Sequence, residues 1–121
     1  MEPRISHAGS KMEFSTPEGC YILEAWNNGQ DRAASIARAR VLPGTATRPH
    51  RLRGTVERYL ITEGTGRVRI GDRMEQDVRP GDVVFIPAGC AQQISNTGEN
   101  DLVFYCICTP AFDAACYESL E

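Results

Sequence analysis

The sequence of 121 residues has few of the residues that metal centres, disulfide frameworks and membrane spans require. It contains two histidines, one tryptophan and a single lysine, Lys11. No uninterrupted apolar stretch approaches the ~20 residues that a membrane helix needs, so we expect no membrane partner. No positively charged segment followed by an apolar one opens the chain, so we also expect no secretory signal.

The cysteines do not form a recognisable framework. There are five, an odd number without a CxxC pair, which fits neither a set of disulfides nor a zinc knuckle. Cys106 and Cys108 are two apart and would share one strand face, an ordinary spacing for small apolar side chains. Nothing in the sequence near Cys90 would lower its pKa, so we interpret it as structural. The number and spacing of the five cysteines together indicate a reducing, cytoplasmic location.

The overall composition is that of one globular domain. Hydrophobic residues make up 41% and charged residues 24% of the chain. A domain of this length buries roughly two-thirds of the surface of its unfolded chain, so it can fold without a disulfide or metal. Acidic residues outnumber basic ones by 16 to 13, which argues against a nucleic-acid partner.

Short apolar runs between residues 20 and 109 alternate with turn signals. Gly64-Thr65-Gly66 and Pro80-Gly81-Asp82 are examples of such signals. Roughly eight short strands at this spacing favour an all-β sandwich or barrel over alternating strands and helices.

The two ends of the chain differ from this pattern. Residues 1–19 are polar and mixed, and we predict a loose arm there with at most a short edge strand. At the other end, Thr109 is a suitable N-cap, Pro110 suits a first helical turn, and the apolar residues that follow share a face. We therefore predict a short C-terminal helix packed over the sheet.

Two segments resemble the motifs of the cupin family. The first motif, G(X)5HXH(X)3,4E(X)6G, is matched in spacing throughout, and in identity at all positions except the second His. The residues at its positions are Gly44, His50, Leu52, Glu57 and Gly64. The second motif, G(X)5PXG(X)2H(X)3N, is also matched in spacing, with glutamine in place of its histidine. The residues at its positions are Gly81, Pro87, Gly89, Gln92 and Asn96.

The resemblance covers about residues 35–109 and implies a fold. We expect an all-β double-stranded β-helix, or jelly roll, made of two packed antiparallel sheets. The cupin barrel would occupy residues 20–110, between an N-terminal arm at 1–19 and a C-terminal helical tail at 111–121. The family also implies a homodimer that pairs through sheet edges and exchanges residues 11–26.

Strand periodicity places the motif side chains in the barrel interior. Residues two apart on a strand face the same way, so His50 and Leu52 point together, as do Glu57 and Tyr59. Gln92 begins a third inward face by the same rule. A small closed barrel can hold one small ligand among such side chains.

The resemblance implies a divalent metal held by the three motif histidines and the glutamate. Carried over to this chain, it leaves His50, Glu57 and the amide oxygen of Gln92 as metal ligands, while Leu52 cannot ligate. The other histidine, His7, lies in the arm. The expectation is a weakly held or non-standard divalent ion (Zn, Fe, Mn or Ni), or no metal and a buried hydrogen-bonded pair of His50 and Glu57.

Two further residues are candidate ligand contacts. Tyr59 shares a face with Glu57, so its hydroxyl could reach a substrate, although Tyr is also an ordinary barrel-lining residue. Arg48 precedes His50 by two residues and would therefore lie on the same strand face. It could bind carboxylate or phosphate at the barrel mouth, or belong to a solvated basic surface. Gln92 could likewise hydrogen-bond to a ligand.

Three functions remain open at this stage. The first is a small-molecule binding protein in which His50, Glu57 and Gln92 orient the ligand. The second is a cupin enzyme of isomerase, lyase or dioxygenase type acting on a small polar or anionic substrate. In it Glu57 would be ligand or base, and Tyr59 would polarise a substrate oxygen. The third is a structural or partner-binding protein with a filled barrel.

Overall fold

Two antiparallel sheets form the protein in the computed structural model, which describes residues 2–72 and 74–121. The strands are β1 (Phe14–Ser15), β2 (Tyr21–Asn28), β3 (Asp31–Val41), β4 (His50–Leu52), β5 (Val56–Glu63), β6 (Gly66–Ile70), β7 (Met74–Val78), β8 (Val83–Ile86), β9 (Gln92–Asn96), β10 (Leu102–Thr109) and β11 (Tyr117–Ser119). Helical structure in these residues is limited to 3₁₀ turns at Ala8–Ser10 and Ala114–Cys116. No helix in the described residues is long and apolar enough to cross a membrane.

The strand order confirms the predicted all-β jelly roll. One sheet has the order β1-β2-β3-β10-β5-β8 and the other the order β11-β4-β9-β6-β7. Strand β10 lies between β3 and β5, so the last long strand closes the larger sheet against two much earlier ones. Successive parts of the chain therefore alternate between the two sheets, and their inner faces enclose a common interior.

Apolar side chains from both sheets fill one end of this interior. Along β5 and β9 every second residue is buried, as strand alternation predicts. Ile61 and Phe104 of the larger sheet and Ile94 and Val68 of the smaller sheet are among the least exposed side chains. They belong to one continuous hydrophobic cluster, which forms the floor beneath the candidate site.

The predicted C-terminal helix is a single 3₁₀ turn followed by a strand. The Asp113 carboxylate accepts a hydrogen bond from the Ala115 amide at 2.9 Å, which caps the turn. The chain then extends as β11 and pairs with β4, Tyr117 opposite Leu52. This pairing gives β4 hydrogen bonds on its otherwise open edge, so extended structure is favoured over a further helical turn.

The N-terminal segment folds back onto its own chain. Phe14 of β1 pairs with Ile22 of β2, and the turn between these strands carries Glu18. The Arg48 amide donates a hydrogen bond to the Glu18 carbonyl oxygen at 2.7 Å. Gly19 has a φ of +92°, which favours glycine, and a Cβ there would also lie close to the Ala46 carbonyl oxygen, at 3.3 Å. The turn is thereby fixed beside the start of β4.

Candidate functional site

A cavity of about 350 Å³ lies between the inner faces of the two sheets. Its walls are mostly apolar and come from both sheets and both terminal segments. Representative lining residues are Ile22, Ala39, Leu52, Phe104, Phe112 and Tyr117. This volume lies within the range of small-molecule sites, which are typically apolar with a few convergent polar groups.

His50 is held rigidly at the cavity wall. It begins β4, is 3% exposed, and has its Nδ1 atom 2.8 Å from the Arg48 carbonyl oxygen. Because a carbonyl only accepts, Nδ1 carries a proton and donates it. The ring stacks on Tyr117 with centroids 5.0 Å apart. The other ring nitrogen, Nε2, is left to face the polar groups of the cavity.

The partner of this nitrogen is Glu18. Its Oε2 atom lies 3.3 Å from His50 Nε2, so the neutral ring accepts from a protonated carboxyl or the charged ring donates to a carboxylate. Burial raises the pKa of Glu18, and the adjacent His50 acts in the opposite direction. The buried pair expected between His50 and Glu57 is therefore replaced by a pair between His50 and Glu18.

Glu57 lies deeper in the same cavity. Its Oε2 atom accepts a hydrogen bond from the Cys108 thiol at 3.6 Å, whereas Oε1 is buried and has no hydrogen-bond partner among the described residues. Burial raises the pKa of Glu57 to about 7, and the Glu18 carboxylate adds to the rise. The Gln92 amide, which approaches without completing a hydrogen bond, and the Cys108 thiol offset part of it. A carboxyl group of this kind exchanges protons near neutral pH.

Tyr59 and Gln92 are bound to each other. The Tyr59 hydroxyl donates to the Gln92 Oε1 atom, and both side chains are buried. Tyr59 lines the cavity, whereas Gln92 is not among its lining residues and lies behind the tyrosine. The hydroxyl proton that was expected to polarise a substrate is thus directed away from the cavity.

Of the side chains singled out from the sequence, the cavity brings together His50, Glu57 and Tyr59, with Leu52 beside them. Arg48 is not among the lining residues. Its side chain is 61% exposed, and its Nε atom lies 3.9 Å from a Glu121 carboxylate oxygen.

Sequence reasoning missed Glu18, Glu24 and Cys108 as members of the site. The only available signal for Glu18 was the Pro17-Glu18-Gly19 turn ahead of the buried Cys20.

The donor atoms do not fit the divalent metal that the fold implies. Within residues 2–72 and 74–121, no three His, Cys, Asp or Glu side chains are arranged to hold an ion. The Gln92 oxygen is occupied by the Tyr59 hydroxyl, and Leu52 places apolar atoms where a third protein ligand would be needed. At the four motif positions only one imidazole and one carboxylate remain as donors, fewer than zinc or a similar ion requires from a protein.

Comparison with known proteins decides the family. The Cupin domain family profile matches residues 37–108, well over half of the chain. This chain belongs to the cupin family. The match begins in β3 and ends in β10, so the Glu18 turn and β11, which complete the cavity of this cupin, both lie outside it.

Two curated relatives are about one-third identical to this cupin over the aligned segments. An oxalate-binding protein of Thermotoga maritima is 33% identical over 84 residues, which are 69% of this chain and 66% of that protein. An uncharacterized protein of Methanocaldococcus jannaschii, MJ1618, is 32% identical over 87 residues, 72% of this chain and 69% of that protein. The matched segment thus spans about two thirds of each relative.

Solved structures extend the similarity to the whole fold. Streptomyces PAC13 in complex with uridine superposes with a TM-score of 0.83, over 100% of this chain and 93% of that one, at 13% identity. In another solved structure, the same Streptomyces protein is called a nucleoside dehydratase. At such low identity the match establishes the shared fold alone.

Proposed function

We propose that this cupin binds a small organic molecule in the barrel cavity, through its own side chains rather than through a first-row metal ion. The observation that carries the proposal is the cavity of about 350 Å³, whose apolar walls surround a few polar side chains. An apolar body would be held by the walls, and the polar groups would fix its orientation. The oxalate-binding relative is consistent with a small ligand in this cavity.

The polar groups are positioned to orient a ligand. His50 Nε2 and the Glu18 carboxyl lie at one side, and the Glu57 carboxyl group lies deeper. Each is fixed by its surroundings, His50 by the Arg48 carbonyl and Glu57 by the Cys108 thiol. Preorganised groups of this kind lower the cost of ordering on binding.

A cavity-filling variant tests this proposal. Ala37 lines the cavity on β3, so Ala37→Leu should occupy part of it, whereas Ala33→Leu adds the same volume at an exposed site of the same strand. Compounds that raise the melting temperature of the wild-type protein should lose that effect with Ala37→Leu and keep it with Ala33→Leu. Equal binding by both variants would place the ligand elsewhere and refute the proposal.

A second candidate function is acid–base catalysis in the same cavity. The observation that favours it is that a carboxyl group whose pKa is about 7 and a fixed imidazole line the same apolar cavity. Glu57 would exchange a proton with the bound molecule, and His50 with Glu18 would stabilise the charge that develops. Prolonged incubation with bound compounds, followed by NMR, would detect conversion. Catalysis predicts that Glu57→Gln binds these compounds without converting them.

A further inference from the structure

The charged side chains that line the cavity are acidic. Glu18, Glu24 and Glu57 are carboxylic acids, and among the described lining residues the only basic side chain is His50. Arg48 is largely exposed outside the lining. An anionic ligand would meet charge of its own sign, with no guanidinium or ammonium group to pair with, so its desolvation would not be compensated.

One buried carboxyl group of the cavity is not paired with a basic side chain in the described part of the chain. Glu57 is 7% exposed, and its Oε1 atom has no hydrogen-bond partner there. The imidazole cannot serve both acids equally, because its Nε2 atom faces Glu18 and its Nδ1 atom is bound to the Arg48 carbonyl. Glu57 nevertheless lines the cavity, and because no cationic side chain among the described residues is paired with its carboxylate, a charged donor from a ligand suits it best.

Aromatic side chains form much of the remaining wall. The cavity-lining aromatic residues are Phe14, Tyr59, Phe104, Phe112 and Tyr117. The rings of Tyr59 and Phe104 lie with centroids 4.5 Å apart and are tilted by 45°. Aromatic faces attract cations, and they also bury apolar groups. A hydrated inorganic ion would gain little from such walls, whereas an organic cation would gain from both properties.

We infer that the ligand of this cavity is a small organic cation, an ammonium group attached to an apolar body. The ammonium group pairs with the Glu57 carboxylate, and the apolar body lies against the aromatic walls. Glu24 adds a second carboxyl group to the lining, one that is not paired with His50. This inference rests on the proposed function, because it names the ligand class of the same cavity.

Three compounds that share a phenyl body test the inference: 2-phenylethylammonium, 2-phenylethanol and phenylacetate. Titration calorimetry is performed at pH 8, above the pKa of about 7 of Glu57. The ammonium compound should bind about tenfold or more tightly than the alcohol, as expected for a charged hydrogen bond, and phenylacetate should bind most weakly. Glu57→Gln should remove most of this preference. Glu75→Gln, which alters an exposed carboxylate paired with Arg67, should leave it unchanged.

The outcomes distinguish a failure of the inferred ligand class from a failure of cavity binding itself. If the alcohol or the carboxylate binds as tightly as the ammonium compound, the inference is overturned, but cavity binding stands. If none of the three binds at about 10 mM, both the inference and the proposed function are overturned. An equal effect of Glu57→Gln and Glu75→Gln would show general electrostatics and also overturn the inference. Should Glu57→Gln fail to fold, Glu24→Gln provides the test, with a partial loss of preference expected.

Discussion

His50 Nε2 lies 3.3 Å from Glu18 Oε2, and this contact joins the first residue of β4 to a turn in the N-terminal segment. The backbone reinforces it, because the Arg48 amide donates to the Glu18 carbonyl oxygen. The turn before β2 is therefore part of the cavity wall, and its carboxyl group sets the polarity beside the imidazole.

Replacing Glu18 should loosen this turn. Glu18→Ala removes the carboxyl group that faces a buried imidazole, and we expect a loss of about 1 to 2 kcal/mol in the free energy of unfolding. Hydrogen exchange of the Arg48 amide should become faster than in the wild-type protein. Glu121→Ala, which removes an exposed carboxylate 3.9 Å from Arg48, is the matched control and should change neither quantity. Unchanged exchange in Glu18→Ala would show that the backbone alone fixes the turn.

The elevated pKa of Glu57 makes stability depend on pH. Its folded-state pKa of about 7 exceeds the ordinary value of 4.5, so the folded protein binds more protons than the unfolded chain between these values. The contribution of this group to the free energy of unfolding is greatest below pH 4.5. As the pH rises from 4.5 through 7, this contribution falls by about 3 kcal/mol in total. Glu57→Gln should remove this decline. Urea unfolding at pH 5 and pH 8 measures it, and an equal slope in both proteins would refute the assignment.

Restoring the motif histidines should create metal affinity. The wild-type protein, purified without chelator, should contain less than about a tenth of an equivalent of any transition metal, because it offers too few donors. Leu52→His combined with Gln92→His adds two imidazoles beside His50 and Glu57. Elemental analysis after dialysis against Zn²⁺ or Ni²⁺ should find about one equivalent in the double variant and much less in Gln92→His alone. A stoichiometric metal in the wild-type protein would contradict our interpretation of the donor set.

Gly64 should tolerate no side chain. Its φ is +78°, and a Cβ there would lie 2.5 Å from the Asp101 carbonyl oxygen. We expect Gly64→Ala to lower the free energy of unfolding by at least about 2 kcal/mol, from backbone strain together with the steric clash. Gly29→Ala is the control, since a Cβ there meets nothing within 4 Å. Comparable melting temperatures for the two variants would show that the turn relaxes easily.

Strand periodicity predicted much of the site, because it depends on local geometry alone. The alternation of side chains along a strand placed His50 and Leu52 on the inner face of one strand and Glu57 and Tyr59 on the inner face of the next. All four are buried in the structure. The same rule could not predict which of the inward-facing side chains reach the cavity. Gln92 has the expected inward direction, yet it lies behind Tyr59, because the length of the tyrosine side chain decides which group reaches the cavity.

The parts that could not be predicted depend on contacts between distant segments. Glu18 lies in a stretch without hydrophobic periodicity, and its position is set by Arg48 and by the close approach of Gly19 to Ala46. The C-terminal strand has three residues, too few to show a pattern, and it forms because β4 has an edge to pair with. The local sequence at residues 111–116 permits a helical turn. The turn ends where the chain begins to pair with the edge of β4.

The pairing of β11 with β4 has a practical consequence for handling the protein. Ser119 pairs directly with His50, and Tyr117 of the same strand stacks on the imidazole ring. Only two residues would therefore separate a purification tag fused after Glu121 from Ser119, the partner of His50. Deleting the last five residues would remove both contacts at once. Binding assays should accordingly use protein with an N-terminal, cleavable tag, because a C-terminal extension is placed where it can change the measured affinity.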